Sequence, residues 1–216
     1  LGRRPPLRRP MMQRSLWGLA YALTVAFLCL GFRWTPALLF LLLLGVAVEL
    51  IRLPNLSPRL RSAGLLYTFT SALATGWLWG VGGGQSILAV FILIWLSDSM
   101  AYVGGRLVGR TPMAPVLSPK KTWEGLITGV LFTLGTAYGL LHLGFGVSLK
   151  LTAILALVVS VTAPVGDLIG SYFKRQSGVK DSGVFLPGHG GFLDRLDSYL
   201  LASTSVVLVL LAFQTF

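Results

Sequence analysis

The chain has 216 residues, 54% of them hydrophobic and only 12% charged, with a mean hydropathy of +0.77. Soluble domains carry about 25% charged residues, so this composition excludes an ordinary soluble fold and predicts an integral membrane protein. The net charge of +11 does not argue for nucleic acid, because the cations sit between hydrophobic runs, where they suit anionic membrane lipids.

In chain order, residues 1–14 carry Arg3, Arg4, Arg8, Arg9 and Arg14 among prolines and read as a disordered basic cytoplasmic arm. An arginine-rich start before an apolar run resembles a signal peptide, yet no clear small-residue cleavage site follows and further spans do. The opening Leu1 in place of methionine suggests a trimmed start, with Met11 or Met12 as natural initiators. A first span covers about 15–31 and a second about 36–51, each near the lower length limit for crossing a bilayer. A proline-broken linker with Arg52, Arg59 and Arg61 precedes a third span, 63–79, whose Trp77 and Trp79 suit the membrane interface. The glycine-rich turn 81–85 leads to a fourth span, 86–103, then a polar connector, 104–121. A fifth span runs over 122–143. A sixth covers 150–163 and can continue as helix to Asp167, and a seventh covers 199–213. The expectation is an all-α polytopic membrane protein of about seven transmembrane helices. It forms one transmembrane catalytic domain, 15–216, with a signature loop over 167–198.

Orientation follows from the cations. Placing the N-terminus inside puts sixteen of the eighteen Lys and Arg residues on the cytoplasmic side and leaves Arg33 and Lys150 opposite. All seven carboxylates then lie at or near the face where nucleotides are available. Cys29 is the only cysteine, which excludes an intramolecular disulfide, a cysteine-based zinc site or an iron–sulfur cluster within one chain.

The stretch from Gly166 to Ser198 concentrates the chemistry. It holds Asp167, Asp181, Asp194 and Asp197, the cations Lys174, Arg175, Lys180 and Arg195, and His189. A polar cluster of both signs is costly in so apolar a chain unless it performs chemistry. Carboxylates suit a hard cation such as Mg²⁺, and lysine and arginine suit phosphate oxygens. Gly188, Gly190 and Gly191 permit positive φ and close backbone approach. If the chain is helical from Gly191, Asp194 and Asp197 share one face and can reach one metal.

Two further stretches stand out. In 118–125, Ser118 before Pro119 is a plausible helix start, with serine at the cap and proline in the first turn, beside Lys120 and Lys121. The plain alternative is a positive-inside anchor. Asp98, late in the fourth span, is either functional or paired with Arg106 or Arg110. Asp167 follows Pro164, a residue that can break a helix and free carbonyls for an ion site. Glu49 reads as a partner of Arg52, and His142 as incidental. The Gly125/Gly129 and Gly135/Gly139 spacings allow close helix approach, within the chain or across a homodimer. No Walker A loop, dinucleotide fingerprint, HExxH or nucleophile elbow occurs.

Ser171, Lys174, Arg175, Lys180, Asp181, Gly183, Pro187, His189, Gly190, Gly191, Asp194, Arg195 and Asp197 match, in order and spacing, the signature of phosphatidate cytidylyltransferases, which the chain therefore resembles. The similarity is dense over about 98–198 and thin before that. It implies CTP and phosphatidate as substrates, and Mg²⁺, with a second cation about 4 Å away as in other polyphosphate sites. It also implies Asp167, Asp194 and Asp197 as metal ligands, and Lys174, Arg175, Lys180 and Arg195 as phosphate-holding cations. Asp181 and His189 complete the catalytic set it implies. Ser118, Lys120, Lys121, Thr122 and Glu124, which fit the family's S-P-K-K-T-x-E-G motif, are implied in substrate handling together with Asp98, Ser171, Gly190 and Gly191. Two other readings compete: a related CTP-using enzyme with an archaeol-type or polyprenol acceptor, and a transporter or scaffold. The second predicts acids scattered through the midplane of several spans, whereas here they gather at one face.

Overall fold

A computed structural model describes residues 23–27, 29–30, 35–142, 148–183 and 190–214, nearly all of them helical. Lipid offers no partner to backbone polar groups, and a helix satisfies them within one segment. The elements are α1 (Thr35–Arg52), α2 (Pro58–Val108), an antiparallel pair β1 (Pro112–Ala114) and β2 (Ser118–Thr122), α3 (Trp123–His142), α4 (Leu149–Gln176) and α5 (Leu193–Gln214). Among the described residues, α2, α4 and α5 are long and apolar enough to cross a membrane. The expected all-α membrane protein is therefore observed. The 1–14 arm, most of the first apolar run, Pro187, Gly188 and His189 lie outside the described residues.

At 51 residues α2 would extend roughly 77 Å if straight, far more than a bilayer core of about 30 Å. It breaks instead at Gly82 and Gly83, the latter at φ +59°, a conformation that favours glycine. Ser86 Oγ lies 2.6 Å from Leu78 O and 2.8 Å from Gly83 O, so its one proton serves carbonyls beside the break. The expected turn between the third and fourth spans is this kink.

Small residues then set which helices touch. A Cβ on Gly125 would stand 2.6 Å from Ala101 O, and one on Gly129 would stand 2.8 Å from Ser97 O. This glycine pair therefore lets α3 lie directly on the second arm of α2, which resolves it as internal packing. Gly135 and Gly139 face open space. On α4, a Cβ on Gly166 would meet Asp197 O at 2.5 Å, and one on Gly170 would meet Asp197 Cβ at 2.7 Å. Those two glycines bring α5 against α4 at its acidic first turns.

The core joins α1, α2, α4 and α5 through residues such as Leu50, Leu78, Ile87 and Leu200, with Phe91 and Tyr199 stacked at 4.5 Å. Two polar pairs lie inside it: Ser71 with Ser203, and Thr75 with Tyr199 Oη, both at 2.9 Å. Such pairs satisfy hydroxyls that lipid would leave unmet.

Three local expectations change. Ser118 does not start a helix: 118–122 is strand β2, and α3 begins at Trp123 with Thr122 Oγ1 accepting from Gly125 N at 3.2 Å. A second run, 112–114, is close enough to pair with it. Pro164 does not break α4, which continues to Gln176. The Ser160 carbonyl, whose helical donor would have been the missing proline N–H, receives Ser97 Oγ at 3.4 Å instead. Finally, the stretch 167–198 is not one loop. Its first ten residues belong to α4 and its last six to α5.

Candidate active site

Four structural pieces meet at the acidic turns of α5: the second arm of α2, the β hairpin, the C-terminal half of α4, and α5 itself. Lys121, at the end of β2, donates to Pro164 O at 3.0 Å and pairs with Asp167 Oδ2 at 2.6 Å. Thus the hairpin is tied to α4 at the carbonyl of its proline. The Asp167 and Asp197 carboxyl groups are close neighbours across the α4–α5 contact that Gly166 and Gly170 permit. Asp197 is buried, and Ser198 N donates to its Oδ1 at 2.8 Å. Two carboxyl groups in such contact need a proton or a cation between them.

A second pair sits beside the first. Lys174 Nζ lies 2.6 Å from Asp194 Oδ1, with side chains only 9% and 11% exposed. Asp194 Oδ2 accepts from Gly191 N at 2.8 Å, Ser182 N at 2.9 Å and Ser182 Oγ at 3.0 Å. This carboxylate therefore gathers both ends of the connection between α4 and α5. Gly190, at φ +83°, has no room for a Cβ beside Asp194.

Asp98 on α2 links two cavities. The larger, about 640 Å³, is bordered by Asp98, Arg106, Lys120, Lys121, Thr122 and Asp167 among others. The smaller, about 420 Å³, combines Asp98, Asp194, Arg195 and Asp197 with the aromatic faces of Phe91, Trp95 and Tyr199. One cavity is thus rich in cations and the other in acids and rings, with Asp98 in both. The alternative pairing of Asp98 with Arg106 or Arg110 gives way to this position, in which Lys121 is its attractive neighbour.

Other expected residues stand apart. Arg175 Nη1 turns to Val179 O at 3.0 Å, and Lys180 and Asp181 are exposed. Ser171 lies on α4 one turn after Asp167. Ser118 pairs with Ala114 in the hairpin, and Glu124 receives the backbone N–H groups of Arg110 and Thr111 at 3.1 and 3.2 Å. Asp194 and Asp197 share the first turns of α5 but serve different partners, Lys174 and Asp167. Among the described residues, no three His, Cys, Asp or Glu side chains converge as a ready metal cage. An Mg²⁺ ion still fits the donor set, since it commonly takes one or two carboxylates and completes its shell with substrate phosphate and water.

Two residues from the N-terminal half were not legible as site residues. Glu49 does not serve Arg52. Its carboxylate accepts from Phe192 N at 2.8 Å, Leu193 N at 3.0 Å and Ser182 Oγ at 2.7 Å. Tyr67 places a buried hydroxyl, without a hydrogen-bond partner among the described residues, in the field of Asp197. A lone acid near a helix end and a tyrosine inside an apolar run give no local signal for either position.

Helices built for lipid, with paired acids and lysines beside a cation-lined cavity, define a membrane protein with a charged pocket among its helices. The profile of the Cytidylyltransferase family matches residues 81–213, and the chain belongs to that family. The phosphatidate cytidylyltransferase of Brucella abortus is 36% identical over 202 residues, covering 89% of this chain and 72% of that protein. That of Staphylococcus saprophyticus is 44% identical over 119 residues, covering 55% of this chain and 46% of the relative. That of Haemophilus influenzae is 45% identical over 121 residues, or 54% and 42%. The chain thus spans less than half the length of these last two relatives in the match.

Proposed function

We propose that this protein transfers the cytidylyl group of CTP to phosphatidate, giving CDP-diacylglycerol and pyrophosphate. The observation that carries the reading is the meeting of Asp98, Lys121, Asp167 and Asp197 on two cavities that share Asp98, within the part of the chain that matches the family. A phosphate oxygen of the lipid forms the new bond to the α-phosphorus of CTP. The bond from that phosphorus to the bridging oxygen breaks, and its electron pair leaves with pyrophosphate. The attacking phosphate is already ionised near neutral pH, so no protein nucleophile or general base is required. What the site must supply is positioning and charge.

Lys121 and Lys120, with Arg106, face the polyphosphate in the larger cavity. Lys174 and Arg195 face charge from the α4–α5 side. Asp167 and Asp197 would hold Mg²⁺, with Asp194 next to them and Asp98 opposite; the ion would screen the two anionic substrates from each other. Thr122 and the hairpin border the larger cavity, and Ser171, Gly190 and Gly191 would flank the bound substrates. Arg175 in the last turn of α4, and Lys180, Asp181 and His189 further along the chain, would add charge and hydrogen bonds to the phosphates. The enzyme would be a multi-pass protein of the cell membrane with about seven crossings, its N-terminus and site cytoplasmic, as the cation asymmetry supports.

The test uses the full chain in mixed micelles with phosphatidate and radiolabelled CTP, with Mg²⁺ present or chelated. Labelled CDP-lipid that requires Mg²⁺, and is lost in folded Asp167→Asn and Asp197→Asn proteins, is the expected result. Label on another lipid acceptor would change the acceptor while keeping the chemistry. No turnover with any lipid would overturn the reading.

A further inference from the structure

The acid that organises the α4–α5 connection from outside is Glu49. It stands in the last turn of α1, beyond the 81–213 stretch that matches the family, yet three donors of the signature region point at it. Two are the N–H groups of Phe192 and Leu193, which open α5 and have no partners within their own helix. A carboxylate there also complements the positive end of the helix dipole. The third is the Ser182 hydroxyl, which lies 2.7 Å from Glu49 Oε2 and 3.0 Å from Asp194 Oδ2, so its single proton can reach either acid. A Cβ on Gly191 would collide with the Glu49 carboxylate, and one on Gly183 would come within 2.5 Å of Glu49 Oε1. Backbone on both sides of the connection is thus bare where Glu49 enters.

We infer that Glu49 is a positioning residue: α1 reaches across to cap α5 and, through Ser182, sets the register of Asp194 with Lys174. The claim deepens the cytidylyltransferase reading and rests on it for its effect on turnover. It gives the N-terminal region a definite task in the reaction, as the splint that holds the first turns of α5. Glutamine is the informative replacement, because it keeps the shape but replaces one acceptor oxygen by an amide donor. Whichever way the amide turns, it faces a backbone N–H that cannot accept.

The experiment compares wild type, Glu49→Gln and Arg52→Ala as full-length protein in detergent micelles. Steady-state kinetics with CTP and phosphatidate are combined with hydrogen–deuterium exchange. Glu49→Gln is expected to lower kcat by roughly tenfold to a hundredfold, the scale of a displaced reacting group, with KM for CTP changed less than threefold. The amides of Phe192 and Leu193 should exchange faster while α2 and α3 keep their protection. Arg52→Ala should match wild type in both measurements. The inference is overturned if Glu49→Gln keeps wild-type kcat and exchange. It is equally overturned if exchange rises throughout the protein and activity falls only in proportion to folded material, or if Arg52→Ala reproduces the Glu49→Gln effects. Should wild type fail to turn over CTP, the reaction reading fails alone. The exchange at Phe192 and Leu193 then still decides whether Glu49 holds α5.

Discussion

Breaking the Lys174–Asp194 pair from either side should give unequal results. In Asp194→Asn, an amide oxygen can still accept from Gly191 N and Ser182 N. The amide nitrogen then replaces Oδ1, 2.6 Å from the Lys174 ammonium, and sets donor against donor. A charge only 9% exposed loses its direct partner, a change that costs about 3–5 kcal/mol in buried pairs. Asp167 and Asp197, which also attract Lys174, place the estimate toward the lower end of that range. In Lys174→Met, Asp194 retains the Gly191 and Ser182 donors. The loss is then one charge-assisted hydrogen bond, about 1.5–3 kcal/mol. The double variant removes the stranded ammonium and should fall short of the summed losses by about 2 kcal/mol. Thermal or denaturant unfolding in one defined detergent measures all four proteins, and CTP turnover is followed in parallel. The two losses should thus be clearly less than additive, while turnover stays lost in the double variant. A double variant whose loss equals the sum of the two single losses would refute the reasoning, since the stranded charge would then not be the cause.

Other perturbations separate packing from chemistry at the same site. Lys121→Met should lower kcat/KM for CTP by about a hundredfold, the scale of a lost charge-stabilising donor, while shifting stability by about 1 kcal/mol or less, because the pair with Asp167 is partly exposed. Stability and activity falling together would make Lys121 mainly a tie to α4. Gly170→Ala should destabilise by about 1–3 kcal/mol, because its Cβ would sit 2.7 Å from Asp197 Cβ, and the remaining folded protein should turn over more slowly. Wild-type rates per folded molecule would show that Asp197 need not stay in place. Tyr67→Phe removes a buried hydroxyl that has no partner among the described residues, so unfolding should show unchanged stability or a gain of about 1 kcal/mol. A clear loss would mean that the hydroxyl is satisfied in solution.

What could be read from the sequence depended on how far each signal extends along the chain. Apolar runs announce helices because burial in lipid leaves little else available, and α1, α3 and the break in α2 fall close to their expected bounds. Pairings between distant segments carry weaker local marks. Ser118-Pro119 has the composition of a helix start, but pairing with 112–114 outweighs that preference and moves the cap four residues on, to Thr122. Pro164 is a residue that can break a helix, and its surroundings explain why α4 runs on: the Ser160 carbonyl finds Ser97, and the proline's own carbonyl finds Lys121. The proline thus exposes acceptors that two other elements use.

The same distinction explains the candidate site. Its charged members were legible because each is an expensive residue in a lipid-facing chain, and Asp98, Lys121, Asp167, Lys174, Asp194 and Asp197 do assemble. Their pairing was not legible. Asp194 and Asp197 are three residues apart on one helix, a spacing that invites a shared ligand, yet Lys174 takes the first and Asp167 the second. The cause lies in α4, where Gly166 and Gly170 open the contact to Asp197 and Lys174 follows one turn beyond Gly170. A metal drawn to the Asp167–Asp197 pair would therefore leave the Asp194–Lys174 pair free to keep the loop in place. On that division of labour, Asp197→Asn should abolish Mg²⁺-dependent turnover while leaving exchange at Ser182 and Gly191 unchanged. Asp194→Asn should accelerate exchange at both amides as well as reducing turnover. Equal exchange profiles in the two variants would show that the four side chains act as one cluster rather than two.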